Sequence, residues 1–289
     1  MQRILLLLAF VIASHFAAAQ TIPLTITDKG FLLLKVMAND SILGTFLFDT
    51  GGGLEVVSGK FLEKIGQSAV QVGIGTGFRH NGERLDLETY RIPSLSFGQM
   101  RIEQPVVGVY KPLDNFGIDG LISLHAFANQ PFTIDFKNSE LRLETPETLA
   151  KAQQEGQTIP VKLNVHLDWG VDMFIPICLN DSVTVDAEFD TGTPFGNLWV
   201  HPYYAKKAGV DLAAPGVKKE NYTNSCGKQK EVFYASIAKV GVCGIPSAAA
   251  ANFPVSFKEE LIYNALVSAE FFKNRQVTID VAGRRLTVR

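Results

Sequence analysis

The sequence is short of charge. Only 19% of its 289 residues are Asp, Glu, Lys or Arg, and 27 basic residues nearly cancel 29 acidic ones. The formal net charge of −2 leaves no broad basic surface, which argues against nucleic acid as a partner. With 46% hydrophobic residues the composition is not that of a disordered chain. Cysteine is scarce: Cys178, Cys226 and Cys243 are the full set, with no Cys-x-x-Cys pair. Five histidines show no His-Glu-x-x-His or similar spacing, so no metal site is expected from them. No Gly-x-Ser-x-Gly elbow supports a serine hydrolase. Gly73-Ile74-Gly75-Thr76-Gly77 lacks the Gly-Lys-Ser/Thr ending of a phosphate loop and reads as a turn or flap. Beyond the first residues, no apolar run approaches the roughly 20 residues that span a bilayer.

The first residues form a class of their own. Arg3 is followed by an apolar run over residues 4–13, and Ala17-Ala18-Ala19 supplies small residues for cleavage. This pattern predicts a signal peptide over residues 1–19, and hence an exported protein, periplasmic or extracellular, with no membrane anchor after cleavage. Export permits disulfides. Three cysteines leave at least one unpaired or paired between chains. Cys226 and Cys243 lie closest in sequence and are candidates to bridge. Cys178 sits in an apolar strand-like run and reads as a small buried hydrophobe.

What the chain does have is an internal repeat. Phe46-Leu47-Phe48-Asp49-Thr50-Gly51 returns as Ala187-Glu188-Phe189-Asp190-Thr191-Gly192, an offset of 141 residues. Asn39-Asp40-Ser41 returns as Asn180-Asp181-Ser182 at the same offset. Leu121-Ile122-Ser123, Phe127 and Thr133-Ile134-Asp135 match Leu266-Val267-Ser268, Phe272 and Thr278-Ile279-Asp280 at an offset of 145. A few inserted loop residues account for the drift. Gly 25, Pro 13 and Phe 20, together with short strand-like runs broken by turn residues, point to β structure. We therefore expect an all-β protein of two pseudo-twofold-related β-barrel lobes. The boundaries read as residues 20–144, a helical linker over 145–157, and residues 158–289. In the linker Thr145 suits a cap, Pro146 the first helical position and Gly156 the stop. A short helix is expected after each Asp-Thr-Gly, over residues 60–65 and again from Pro202 to Gly209.

The two Asp-Thr-Gly triplets carry the chemistry. One triplet is weak evidence, because Asp and Gly are ordinary turn residues. Two at matching positions of a repeat can be brought face to face by the symmetry. Two carboxylates so close cannot both ionise cheaply, so the pair holds one proton between them. The ionised member can then activate a water while the protonated one assists a carbonyl oxygen. Thr50 and Thr191 are placed to tie the loops together by hydrogen bonds.

Phe48-Asp49-Thr50-Gly51 and Phe189-Asp190-Thr191-Gly192-Thr193, each followed by an apolar-apolar-small element, resemble the pepsin and retropepsin clan of aspartic peptidases, most closely the bacterial exported two-lobed aspartyl proteases. The resemblance spans nearly all of the chain after the signal. It implies an acid-protease fold and hydrolysis of peptide bonds in a peptide or unfolded protein bound in extended form, by a monomer without metal or organic cofactor. It implies Asp49 and Asp190 as the catalytic pair, supported by Thr50, Gly51, Thr191, Gly192 and Thr193. Residues 75–82 match the flap, with Phe78 or His80 covering substrate and Tyr90 a weaker candidate. Trp199 is expected to line the cleft and Trp169 to pack. Three departures stand out. Gly52 replaces the small polar residue that Thr193 supplies in the second copy, so Asp190 is expected to be the more acidic member. Ser123 and Ser268 replace a glycine of the family. No flap tyrosine is evident. These departures motivate an alternative, a non-catalytic peptide-binding module on the same fold.

Overall fold

A computed structural model describes residues 20–166, 170–224 and 227–289. The expected signal peptide, Trp169 and Cys226 lie outside the described residues. Each copy opens with a hairpin set by its turn. Asn39 and Asp40 take φ of 51° and 59°, and Asn180 and Asp181 take 50° and 54°. Two consecutive left-handed residues make the tight turn whose twist matches paired strands, and Asn and Asp tolerate that conformation best after glycine. Leu32–Ala38 thereby pairs with Ile42–Asp49. Gly170–Leu179 pairs with Val183–Phe189 in the same way. Leu32, Leu34, Val36 and Ala38 alternate inward, as a strand with one buried face requires.

Among the described residues the strands form three sheets. One belongs to the first copy and one to the second. In both, the strand leading to the Asp is flanked by a parallel neighbour: Gly120–Ser123 beside Phe46 to Asp49, and Ala265–Val267 beside Ala187 to Phe189. Val56–Val57 and Leu198–Val200 lie antiparallel on the far side of those neighbours. Phe48 packs edge-on against Phe127 at 5.2 Å between centroids, and Phe189 packs edge-on against Phe272 at the same 5.2 Å. The repeat therefore extends to core contacts. All four rings are fully buried, so truncating either strand phenylalanine to Ala costs about 3–5 kcal/mol.

The third sheet joins the copies. Its order is Gln20–Pro23, Glu140–Leu143, Phe132–Asp135, Gln276–Asp280, Arg285–Val288, Gln157–Pro160. The order reads the same way from either end. At its centre Thr133 faces Thr278, with hydroxyl oxygens 2.7 Å apart. The outer strands carry the identical tetrapeptide Gln-Thr-Ile-Pro. The helix Pro146–Glu155, closed by a Thr145–Thr148 capping box, leads from the first copy into the second.

Two local expectations change. The segment from Pro202 to Gly209 forms only a 3-10 turn, Pro202–Tyr204, whose first free N–H bonds to His201. Eight residues with two adjacent tyrosines of modest helix propensity do not sustain more. The disulfide joins Cys178 to Cys243, not Cys226 to Cys243. Sequence proximity misled because the strand Gln229–Val242 runs 14 residues, about 45 Å of extended chain, before reaching Cys243. The Cys243 N–H bonds the Pro176 carbonyl, which sets the Cys178 and Cys243 Cα atoms 5.2 Å apart. Cys178 is thus a cross-link rather than a buried thiol. Non-reducing peptide mapping will find Cys178 linked to Cys243, and replacing both by Ala will lower stability by about 2–4 kcal/mol for a 65-residue separation. A map with Cys226 in the bridge contradicts this.

Candidate active site

Both Asp-Thr-Gly triplets fall where a buried strand runs out into a loop. The threonines interlock across the pseudo-twofold. The Thr50 N–H donates to Thr191 Oγ1 at 3.0 Å, and the Thr191 N–H donates to Thr50 Oγ1 at 3.1 Å. Each hydroxyl then donates onward, Thr50 to the Phe189 carbonyl at 2.6 Å and Thr191 to the Phe48 carbonyl at 2.7 Å. Both residues are fully buried, so leaving either hydroxyl unpaired costs about 1–3 kcal/mol.

The lock fixes the depth of both loops, and the glycines let the carboxyls meet. A Cβ on Gly192 would lie 2.6 Å from the Asp49 carboxyl, and one on Gly51 would lie 2.9 Å from that of Asp190. No other residue fits either place. A further backbone contact closes the joint: a Cβ on Gly170 would lie 2.1 Å from the Gly53 carbonyl. Asp49 accepts from the Gly51 N–H at 3.0 Å, and Asp190 from the Gly192 N–H at 2.7 Å. Thr193 adds a hydroxyl bond to the outer oxygen of Asp190 at 2.5 Å, and Gly52 offers Asp49 no such side chain.

Electrostatics follows from this geometry. Burial raises the Asp49 carboxyl well above the usual range, and the Asp190 charge and hydrogen bond push it further. Burial also raises Asp190, but Thr193, Asp49 and the Gly192 N–H hold it down. The asymmetry makes Asp190 the more acidic member of the pair. The arrangement can take a proton from a water on one side and give one to a carbonyl oxygen on the other.

The paired serines of the repeat, Ser123 and Ser268, behave unequally. Ser123 donates to the buried Glu55 carboxylate at 2.9 Å. Ser268 is fully buried and its hydroxyl has no partner among the described residues.

The expected flap, residues 75–82, lies at the end of a hairpin formed by Val70–Phe78 and Arg84–Arg91. Its first strand is exposed along almost its whole length. Its tip is seated on the second copy. The Ile262 N–H donates to the His80 carbonyl at 2.9 Å, and the His80 ring lies 4.7 Å from the Trp199 ring. Lys258 Nζ sits 3.2 Å from the Trp199 centroid, a cation–π contact. His80 and Trp199 thus meet at the flap tip. Phe78 does not join them: it is 63% exposed. Tyr90 lies at the flap base, paired with Val107 and Gln71 and packed on the core. Reading the sequence missed Lys258, and it missed Glu188, Asp172 and Tyr263 beside Asp190. The signal for Glu188 was present, because its repeat partner is Leu47.

The chain has the two-lobed, all-β fold of the pepsin-like proteins. No described protein family matches its sequence, and no curated protein does. Solved structures do. It is similar to basic 7S globulin from soybean at a TM-score of 0.55 and 10% identity, over 93% of this chain and 94% of that one. It is similar to conglutin gamma, described as a unique basic 7S globulin from lupine seeds, at 0.54 and 10%, over 94% of each chain. Identity this low shows the shared fold alone.

The flap tip carries a pH dependence. Burial, followed by the Lys258 and Arg79 charges, lowers His80 from 6.5 to about 4. The seated flap therefore binds fewer protons than a released one between these values. The contribution of His80 to seating is present above pH 6.5 and lost as pH falls towards 4. Hydrogen-exchange protection of the flap amides will fall over that window, and His80→Gln will abolish the fall. Protection that is constant with pH contradicts the assignment.

Proposed function

We propose that the chain is an aspartic endopeptidase in which Asp49 and Asp190 hydrolyse peptide bonds through an activated water. The observation that carries this reading is the threonine lock with both carboxyls buried against each other's glycine. Asp190, ionised, takes a proton from the water as its oxygen attacks the peptide carbonyl. Asp49, protonated, donates to the carbonyl oxygen as charge develops there. The tetrahedral diol then collapses, the amine leaves with a proton from the pair, and the shared proton is restored. No covalent intermediate and no metal enters the scheme. The flap tip at His80 and Trp199 closes over an extended peptide or unfolded segment. We propose an extracytoplasmic monomer, since one chain carries both half-sites, and the Cys178–Cys243 bridge is compatible with export.

A second reading, a cleft that holds an extended peptide without cutting it, is favoured by one feature. Ser268, whose hydroxyl has no partner among the described residues, follows Val267, whose carbonyl accepts the Asp190 N–H at 3.0 Å. The fold likeness to two seed globulins, neither described as a peptidase, is compatible with that reading.

Hydrolysis of an unstructured protein or peptide library from acid to neutral pH decides between them. On the first reading, Asp49→Asn and Asp190→Asn each reduce turnover by about a thousandfold or more. Undiminished turnover in either variant refutes it, and peptide binding without cleavage across the range favours the second. Thr193→Ala removes a hydrogen bond from the ionised carboxylate. It will move the acidic limb of the pH–rate profile upward by about one unit. A limb that does not move contradicts the assignment of Asp190 as the acidic member.

A further inference from the structure

Three acids line one face of the second copy's central strand. Asp186, Glu188 and Asp190 alternate along Val183–Phe189 and its continuation, so their side chains share the face on which Asp190 meets Asp49. Asp172 and Phe174 stand on the neighbouring strand, with Phe174 directly opposite Glu188. Two of the acids beside Asp190 are already partnered. Asp186 pairs with Lys162 at 2.6 Å. Asp172 accepts from Tyr263 at 2.5 Å and from Asn164 at 3.3 Å, and bonds His166 Nε2 at 2.7 Å.

Glu188 differs. It is 4% exposed, and its carboxyl has no hydrogen-bond or ion-pair partner among the described residues. Burial raises it to about 9, with the Asp190, Asp172 and Asp49 charges adding to the effect. Its field is therefore shared with the dyad on one side and Asp172 on the other. A buried carboxyl without a partner is a stability cost. The fold does not require it. At the 141-residue offset the first copy places Leu47 where the second has Glu188, Thr45 for Asp186, and Phe31 for Asp172, in the same strand register.

Beside this cluster lies a cavity of about 280 Å³ lined by Phe174, Tyr263, Ile262, Asn264 and the Lys162–Asp186 pair. Ile262 also receives the flap tip, so the cavity lies where the flap meets the second lobe. Its size suits one amino-acid side chain better than a whole small-molecule ligand, whose pockets start at about 300 Å³. Phe174 and Tyr263 meet edge to face at 4.7 Å. Such rings can flank an aliphatic stem and attract a terminal cation.

We propose that Glu188, backed by Asp172 and flanked by Phe174 and Tyr263, is a specificity residue that selects a lysine or arginine side chain next to the scissile bond. On the other side of the dyad, Leu47 and its strand neighbour Leu121 select an apolar one. The cation supplies the partner that Glu188 lacks, and the desolvated pair is worth more there than at the surface. The inference rests on the cleft being a peptide-binding cleft.

The test uses the full chain carrying Asp49→Asn, so that peptides survive, and calorimetric binding at pH 6. The probes are octapeptides in which either central position is Lys, Arg or norleucine. Lys or Arg at one of the two positions will bind about tenfold tighter than norleucine. Adding Glu188→Gln, which keeps the shape but cannot ionise against a bound cation, will bring the ratio to near one. Adding Glu188→Leu, the first-copy residue, will turn the preference towards norleucine. Equal affinity in the parent, or an unchanged preference in both variants, overturns the proposal. The same peptides are given to the unmodified chain. Cleavage without a basic preference overturns the subsite alone. A basic preference without cleavage leaves the subsite standing and removes the peptidase reading. No binding of any peptide removes both.

Discussion

The crossed hydrogen bonds of Thr50 and Thr191 are the constraint on which the site depends. Each hydroxyl accepts from the opposite loop and donates to the opposite strand, so neither loop can move alone. The lock holds only if both strands end at the same depth. That is why the pairing that sets strand length, down to the two left-handed Asn-Asp turns, recurs in both copies. The shared six-stranded sheet does the same at the base, with Thr133 and Thr278 meeting on the pseudo-twofold. Between lock and sheet the carboxyls have no freedom to separate.

Confinement makes the cleft an unusual electrostatic environment. Asp49, Asp190 and Glu188 are all pushed up, mainly by burial. Glu188 costs the fold least below its ordinary 4.5, where it is uncharged, and stability falls as pH rises towards about 9. His80 at the flap tip titrates in the opposite sense, releasing the seated flap as pH falls. An acid medium thus favours both an intact floor and an accessible entrance. A basic side chain entering beside Glu188 would give that buried acid a partner it lacks among the described residues, linking peptide recognition to the stability of the site.

Much of this was legible in the sequence because symmetry made it redundant. Two Asp-Thr-Gly triplets at one offset declared both the lobes and the facing carboxyls, and Thr193 opposite Gly52 declared the asymmetry between them. Contacts without such an echo were not legible. Cys178 and Cys243 are brought together by a long strand, and distance in sequence said nothing about that. Phe78 and His80 look alike on a flap, but only His80 meets Trp199, and the partner Lys258 comes from the strand paired with that of Trp199, distant in sequence. Glu188 was hidden by the match itself: an acid aligned with Leu47 reads as noise until its burial is known. The matching Gln-Thr-Ile-Pro strands lay at an offset of 137, outside the register of the other anchors.

The central claim is that one proton is shared by two unequal carboxyls. Carbon-13 titration of the aspartate carboxyl groups, assigned with Asp49→Asn and Asp190→Asn, measures it directly. The account predicts two separated steps, Asp190 first and Asp49 well above it, with each step altered when the other residue is replaced. Two independent titrations near the ordinary value of 3.8 would contradict it.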